Sequence, residues 1–171
     1  MKRLALLLLL AAPLVAQPAD PKGWRNLRWG MSEAAVEKAE PRLAERLPAL
    51  KPDRDNTFKA FKNGEIELVG EKFAVWLLFS GEPGTGALAS VRLTPLEKKS
   101  PGATYSRLRT ALVEKYGAPT EEKDESRRDT TDKTCTWLLG QTKIELLEME
   151  MGDGAFVGLS YSKRALENPN L

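Results

Sequence analysis

The stretch Phe73-Ala74-Val75-Trp76-Leu77-Leu78-Phe79 decides how this chain folds. Seven apolar residues in succession leave neither face of a strand polar, so the segment reads as a strand buried on two sides. Its cover comes from helices and a loop of the same chain or from another subunit. Before it, 57–61 and 65–69 read as strands, with Asn63-Gly64 as the hairpin turn between them. After it, the loop 81–86 leads into a returning strand at 87–93, ahead of Pro95. Gly84-Thr85-Gly86-Ala87-Leu88-Ala89 fits the permissive G-x-G-x-x-A dinucleotide pattern. That chemistry needs a helix to start at the second glycine, but the chain continues as strand-like Val91-Arg92-Leu93, so a hairpin is the expected structure.

Two helices flank these strands. Ser32 is a good N-cap with Glu33 in the first turn, and Ala35, Val36 and Ala39 supply an apolar face that ends near Pro41. A second short helix carrying Leu43, Ala44 and Leu47 is expected before Pro48. Further on, Tyr105, Leu108, Leu112 and Tyr116 fall three and four apart, with Thr104 as the cap, Gly117 as the stop and Pro119 beyond it. The mixed-charge run 121–133 reads as a solvated linker. Strands resume at 134–139, 143–149 and 155–161, with Gly152-Asp153-Gly154 turning the last pair. Ile66-Glu67-Leu68-Val69 and Ile144-Glu145-Leu146-Leu147 hold similar places in the two halves. The expected fold is α+β: an antiparallel sheet with helices on one face, built from two helix-then-three-strand units spanning residues 24–163.

The ends of the chain carry a different signal. Met1, Lys2 and Arg3 precede an apolar run from Leu4 to Ala12, then Pro13 and Leu14-Val15-Ala16. This is the pattern of an export signal over 1–16 with cleavage after Ala16, which implies a periplasmic or secreted product. The run is short of the about 20 residues that span a bilayer, so no membrane span is expected in the mature chain. Residues 17–23 are expected to form a flexible leader and 164–171 a disordered tail. Lys and Arg total 26 against 24 Asp and Glu, and losing Lys2 and Arg3 leaves 24 against 24. A mature domain without net charge lacks the electrostatic footprint of nucleic-acid binding.

Histidine is absent and Cys135 is the single cysteine, which removes His-based triads, Cys/His metal sites and internal disulfides. Cys135 reads as a small hydrophobe in a strand, with an intermolecular disulfide as the sharper alternative. Asp53-Arg54-Asp55-Asn56 begins like a calcium loop, but its sixth position is Phe58 and its twelfth is Gly64. Ser160-Tyr161-Ser162-Lys163 fits S-x-x-K, yet three residues along a strand point to opposite faces. Glu145, Glu148 and Glu150 are the acid cluster of the last strands, and Glu148 and Glu150 share a strand face. No catalytic residue, metal or cofactor is assigned. The one combination that reads as an interface anchor is Trp24, Arg25, Arg28 and Trp29, because Trp and Arg dominate contact energies between proteins.

The Trp29-Gly30-Met31-Ser32 approach to a helix, the Leu112-Val113-Glu114-Lys115-Tyr116-Gly117-Ala118-Pro119 exit from another, and Trp137 in a later strand resemble small bacterial exported domains. In layout they are similar to the β-lactamase-inhibitor-protein fold and to the small lipoprotein of the outer-membrane β-barrel assembly machinery. The resemblance implies a helix-plus-three-strand repeat and a protein-binding scaffold without catalysis. The chain lacks the lipid-bearing cysteine of the assembly lipoprotein and the disulfide cysteines of the inhibitor, so no functional residue carries over. The expected function is therefore a non-catalytic protein-binding or envelope-assembly module that takes another envelope protein, with self-association a further option. The alternatives are a carboxylate-dependent hydrolase of an envelope polymer using Glu148 and Glu150, and a carrier of a small apolar ligand.

Overall fold

A computed structural model describes residues 19–41, 45–46, 57–97, 100–127, 130–151 and 154–164. The signal segment 1–16, the calcium-like loop 53–56 and the tail beyond Arg164 lie outside these residues. Ten strands and two helices succeed one another in order. A two-residue hairpin, β1 (Gly23–Trp24) with β2 (Leu27–Arg28), precedes α1 (Glu33–Ala39). Then come β3 (Glu45–Arg46), β4 (Thr57–Leu68), β5 (Glu71–Ser80) and β6 (Ala87–Pro95). Helix α2 (Pro101–Tyr116) leads to β7 (Glu121–Arg127), β8 (Thr130–Leu139), β9 (Thr142–Met151) and β10 (Gly154–Lys163).

The main sheet has eight strands in the order β3-β4-β5-β6-β10-β9-β8-β7, every described neighbour antiparallel. Two meanders thus meet along one seam, where Ser90, Val91, Arg92 and Leu93 of β6 pair with Ser162, Tyr161, Ser160 and Leu159 of β10. The molecule is mostly β. This overturns the expected α+β layout of two helix-then-three-strand units, because four strands come after α2 and α1 is only seven residues long. The paired sequence matches are not equivalent either: Ile66 sits in β4, away from the seam, and Val69 in a turn, whereas Ile144–Leu147 all lie in β9 beside β10.

The physical reasons for these differences are local. Asn63-Gly64 does not turn the chain. β4 runs through it with register shifts at Lys59/Phe61 and Asn63/Glu65, so the extra residues are absorbed as irregularities. The reversal falls at Val69-Gly70, where both residues have positive φ (49° and 77°), as a two-residue type I′ hairpin requires, and Leu68 pairs with Glu71. The charged run 121–133 is no linker. Its residues pair as the β7/β8 edge hairpin, Glu121 opposite Thr136 through Arg127 opposite Thr130. An edge strand is held by backbone pairing and needs no apolar alternation, while its charges discourage pairing with other chains. Glu45–Arg46 pairs with Phe61 and Lys62 as a strand where a short helix was expected.

Ser32 caps α1 as its sequence implies, its hydroxyl accepting from the Ala35 amide at 3.3 Å. Helix α2 starts earlier than Thr104, with Ser100 at the cap and Pro101 in the first turn. Thr104 instead lies inside that turn, its hydroxyl 2.8 Å from the Glu71 carboxylate and 3.1 Å from the Ser100 carbonyl, with one hydrogen to donate between them. The helix ends at Gly117, whose amide donates to the Val113 carbonyl at 2.8 Å.

The core lies between the helices and one sheet face. Tyr105, Leu108, Leu112 and Tyr116 of α2 and Val36 of α1 pack with Phe73, Val75, Leu77 and Phe79 of β5, Val91 and Leu93 of β6, Val157 and Leu159 of β10, and Trp137 and Ile144. The Trp137 indole donates to the Gly117 carbonyl at 2.9 Å, fixing the end of α2 to β8. Segment 73–79 buries most of both faces within the chain: of the residues pointing away from this core, Leu78 is fully buried and Ala74 8% exposed, whereas Trp76 is half-buried. Among the described residues no helix is long and apolar enough to cross a membrane.

Candidate binding cleft on the sheet face opposite the helices

The four residues expected to anchor an interface do come together on the β1/β2 hairpin, but their aromatic rings face inward. Trp24 is 7% exposed and belongs to the core. Arg25 takes a positive φ of 54° and lays its guanidinium 5.4 Å from the Trp24 ring centroid. Arg28 donates through Nη1 to the carbonyls of Arg25 (3.2 Å) and Leu27 (3.3 Å), tying the turn to itself. Trp29 is half-buried, and its indole donates to Thr142 Oγ1 at 2.9 Å.

That last bond belongs to a clamp. Thr142 is fully buried and its hydroxyl donates to Asp20 Oδ1 at 2.9 Å. Asp20 also accepts from the amides of Gln141 (2.8 Å) and Lys22 (2.9 Å). Burial pushes the Asp20 carboxyl up, and the hydrogen bonds from Gln141, Lys22 and Thr142 outweigh it and hold the group below its ordinary value. At Gly140 a Cβ would stand 2.5 Å from Asp20 Oδ2, so only glycine lets the carboxylate approach the β8/β9 turn. Asp20, in the leader expected over 17–23, is thus hydrogen-bonded to groups 121 and 122 positions away. At the other end the Arg164 amide donates to the Gln141 carbonyl at 2.7 Å.

The acid cluster separates in the same way. Glu148 is 2% exposed, with Oε2 held by Lys133 Nζ at 2.9 Å and Oε1 lacking a hydrogen-bond partner. A Cβ on Gly102 would meet that oxygen at 3.2 Å, which places the carboxylate beneath the first turn of α2. Glu150 is exposed two residues away, and Glu145 lies on the opposite face, ion-paired with Lys143. Glu148 is thus buried and set apart from Glu150, which is exposed. The glycine-rich hairpin is also spoken for, since the Gly84 amide donates to the buried Glu33 carboxylate at 2.6 Å. Cys135 is buried and its sulfur lies 3.1 Å from the Tyr105 hydroxyl, so a disulfide with another chain would require opening the core. Burial first, and then the Cys135 hydrogen bond, push the Tyr105 phenol far up.

The sheet face turned away from α2 has another character. A cleft of about 560 Å³ runs over β6, β10 and β9. Its floor is built from small residues on the seam: Ser90 on β6, and Gly158, Ser160 and Ser162 at alternate positions of β10. Register sets them in rows, Arg92-Ser160-Glu145 and Ser90-Ser162-Lys143 across three strands. At one end Phe156 is 42% exposed. Its ring lies along the strand over Gly158, where a Cβ would stand 2.9 Å from Cε1 and 3.0 Å from Cζ. Lys163, the last residue of β10, borders the cleft, while strand alternation gives its side chain the parity of Tyr161 and not of Ser160.

None of Phe156, Gly158, Ser160 or Lys163 was assigned to a site from the sequence. The available signal is the alternation itself: Val157, Leu159 and Tyr161 are large, whereas Gly158, Ser160 and Ser162 between them are small and polar. Among the described residues, no three His, Cys, Asp or Glu side chains converge in a set that would hold a metal ion. No protein-family model, no curated protein and no solved structure matches this chain.

Proposed function

We propose that the chain is an exported, non-catalytic binding module of the cell envelope that receives a protein partner in the cleft of the outward sheet face. The observation that carries this reading is the contrast within β10, which buries large side chains on one face and presents a glycine-and-serine trough with an exposed phenylalanine on the other. Glycine within a strand often marks a place where another group approaches the backbone closely. The Trp24 and Trp29 rings stabilise the N-terminal hairpin, which leaves the sheet face as the better surface for a partner. The basic, apolar segment 1–16 supports export, and the balanced charge of residues 17–171 favours a protein partner over nucleic acid.

The test is site-directed photocrosslinking of the processed chain in an envelope extract. A photoreactive residue at position 160 is expected to give a discrete adduct, and one at position 38, exposed on α1, is not. Recovery of the chain alone from both positions, or equal adducts from both, would overturn the reading.

A further inference from the structure

Independently of what the cleft receives, we infer that the edge strand β7 pairs antiparallel with β7 of a second copy of this chain, about a two-fold axis at Asp124. β7 ends the eight-stranded sheet, with β8 as its one neighbour among the described residues, and residues 121–126 are exposed. Its outer side therefore presents backbone amides and carbonyls to solvent, the groups that a further strand takes up. The charges that deter a strand of arbitrary sequence are complementary to themselves. β7 reads Glu121-Glu122-Lys123-Asp124-Glu125-Ser126-Arg127, and positions 121, 123, 125 and 127, which share one face, alternate in sign. Laid antiparallel on a copy with Asp124 at the centre, Lys123 stands opposite Glu125 and Glu121 opposite Arg127, each pair occurring twice, as an isologous contact requires.

Neighbouring registers oppose like charges. Centred on residue 123, Glu121 meets Glu125 and Glu122 meets Asp124; centred on residue 125, Lys123 meets Arg127. Half-steps to either side set Glu122 against Glu125, or Asp124 against Glu125. The pattern thus selects both the partner and the register. None of these groups has to be unpaired in the single chain. Lys123 holds Glu121 at 3.0 Å with both side chains more than half exposed, and an ammonium with three donors can serve a second carboxylate across the axis. On the other face Glu122 is engaged by Arg109 of α2 at 2.7 Å, and only Ser126 of the copy would stand opposite it. The cost is Asp124 facing Asp124, like charges directly opposed, with Lys133 beside each in β8.

The inference is tested by sedimentation velocity of the processed chain from micromolar to millimolar concentration. A dimer is expected to populate as concentration rises, to weaken as salt is raised from about 0.05 to 0.5 M, and to tighten severalfold in Asp124→Asn. Lys123→Glu and Glu125→Lys should each weaken it at least about tenfold. An equimolar mixture of those two variants should associate as the parent does, because every like-charged pair becomes an opposite one in the mixed dimer. The double variant Lys123→Glu/Glu125→Lys, which keeps the composition of β7, should do the same. A chain that stays monomeric at millimolar concentration, a dimer indifferent to salt and to Asp124→Asn, single variants as tight as the parent, or a mixture and double variant no tighter than the singles would overturn the inference. The crosslink from position 160 reports on the cleft alone, so the two readings fail separately.

Discussion

The two faces of β10 differ more than any two regions elsewhere in the fold. Val157, Leu159 and Tyr161 point to the helices and are buried, while Phe156, Gly158, Ser160 and Ser162 point away and remain half-buried or exposed. One backbone thus serves cohesion on one side and access on the other, and the period-2 geometry of a strand keeps the two roles independent. Substitutions on the helix side should therefore cost stability, and those on the far side should cost binding.

The largest expected effect is Trp137→Ala, which removes a side chain 1% exposed together with its hydrogen bond to Gly117, and should lower the urea unfolding free energy by about 3–5 kcal/mol. Phe156→Ala on the opposite face should change it by less than about 1 kcal/mol while abolishing the adduct formed from position 160. A stability loss in Phe156→Ala as large as in Trp137→Ala would break the contrast.

Next comes the one buried carboxylate on the helix side of β9. Lys133→Met leaves both Glu148 oxygens without a partner and should cost about 1–3 kcal/mol, toward the lower end because the lysine side chain is 40% exposed. Adding Glu148→Leu to that variant should recover most of the loss, since an apolar pair replaces an ionic one. Denaturation of both variants checks this.

Asp20 offers a pH-dependent measurement. Its carboxyl titrates below the ordinary 3.8, so its stabilising contribution is full above that value and is lost as pH falls through the folded pKa. Asp20→Asn should flatten the acid limb of the stability profile while leaving binding in the cleft unchanged. The smallest stability change is expected from Gly158→Ala. The added methyl must displace the Phe156 ring, which should lower the adduct yield from position 160 severalfold with less than about 1 kcal/mol lost in urea.

The parts of this fold that the sequence made legible are those whose side chains report burial. Tyr105, Leu108, Leu112 and Tyr116 marked α2, and the apolar runs marked the cores of β5, β6, β8, β9 and β10. The edge hairpin β7/β8 was hidden because strand pairing at an edge is written in backbone hydrogen bonds, which leave no trace in Glu121-Glu122-Lys123-Asp124. Asn63-Gly64 misled for the converse reason: a sequence that favours a turn is overridden when β5 offers it a continuous partner. The tryptophan-rich anchor was legible as a cluster and not as a clamp, because its partners Thr142 and Asp20 lie far from Trp29 or from one another in sequence. The cleft was least legible, since small residues announce a surface only after a sheet has placed them side by side.

The seam between β6 and β10 ties this surface to folding. Each meander closes through neighbours near in sequence, but Ser90–Leu93 must find Leu159–Ser162 across roughly seventy residues, the slow kind of contact. A chain that has completed either meander alone has no trough to offer, so on the proposed function recognition would read out maturation, and a partner would meet only molecules that have finished assembling themselves.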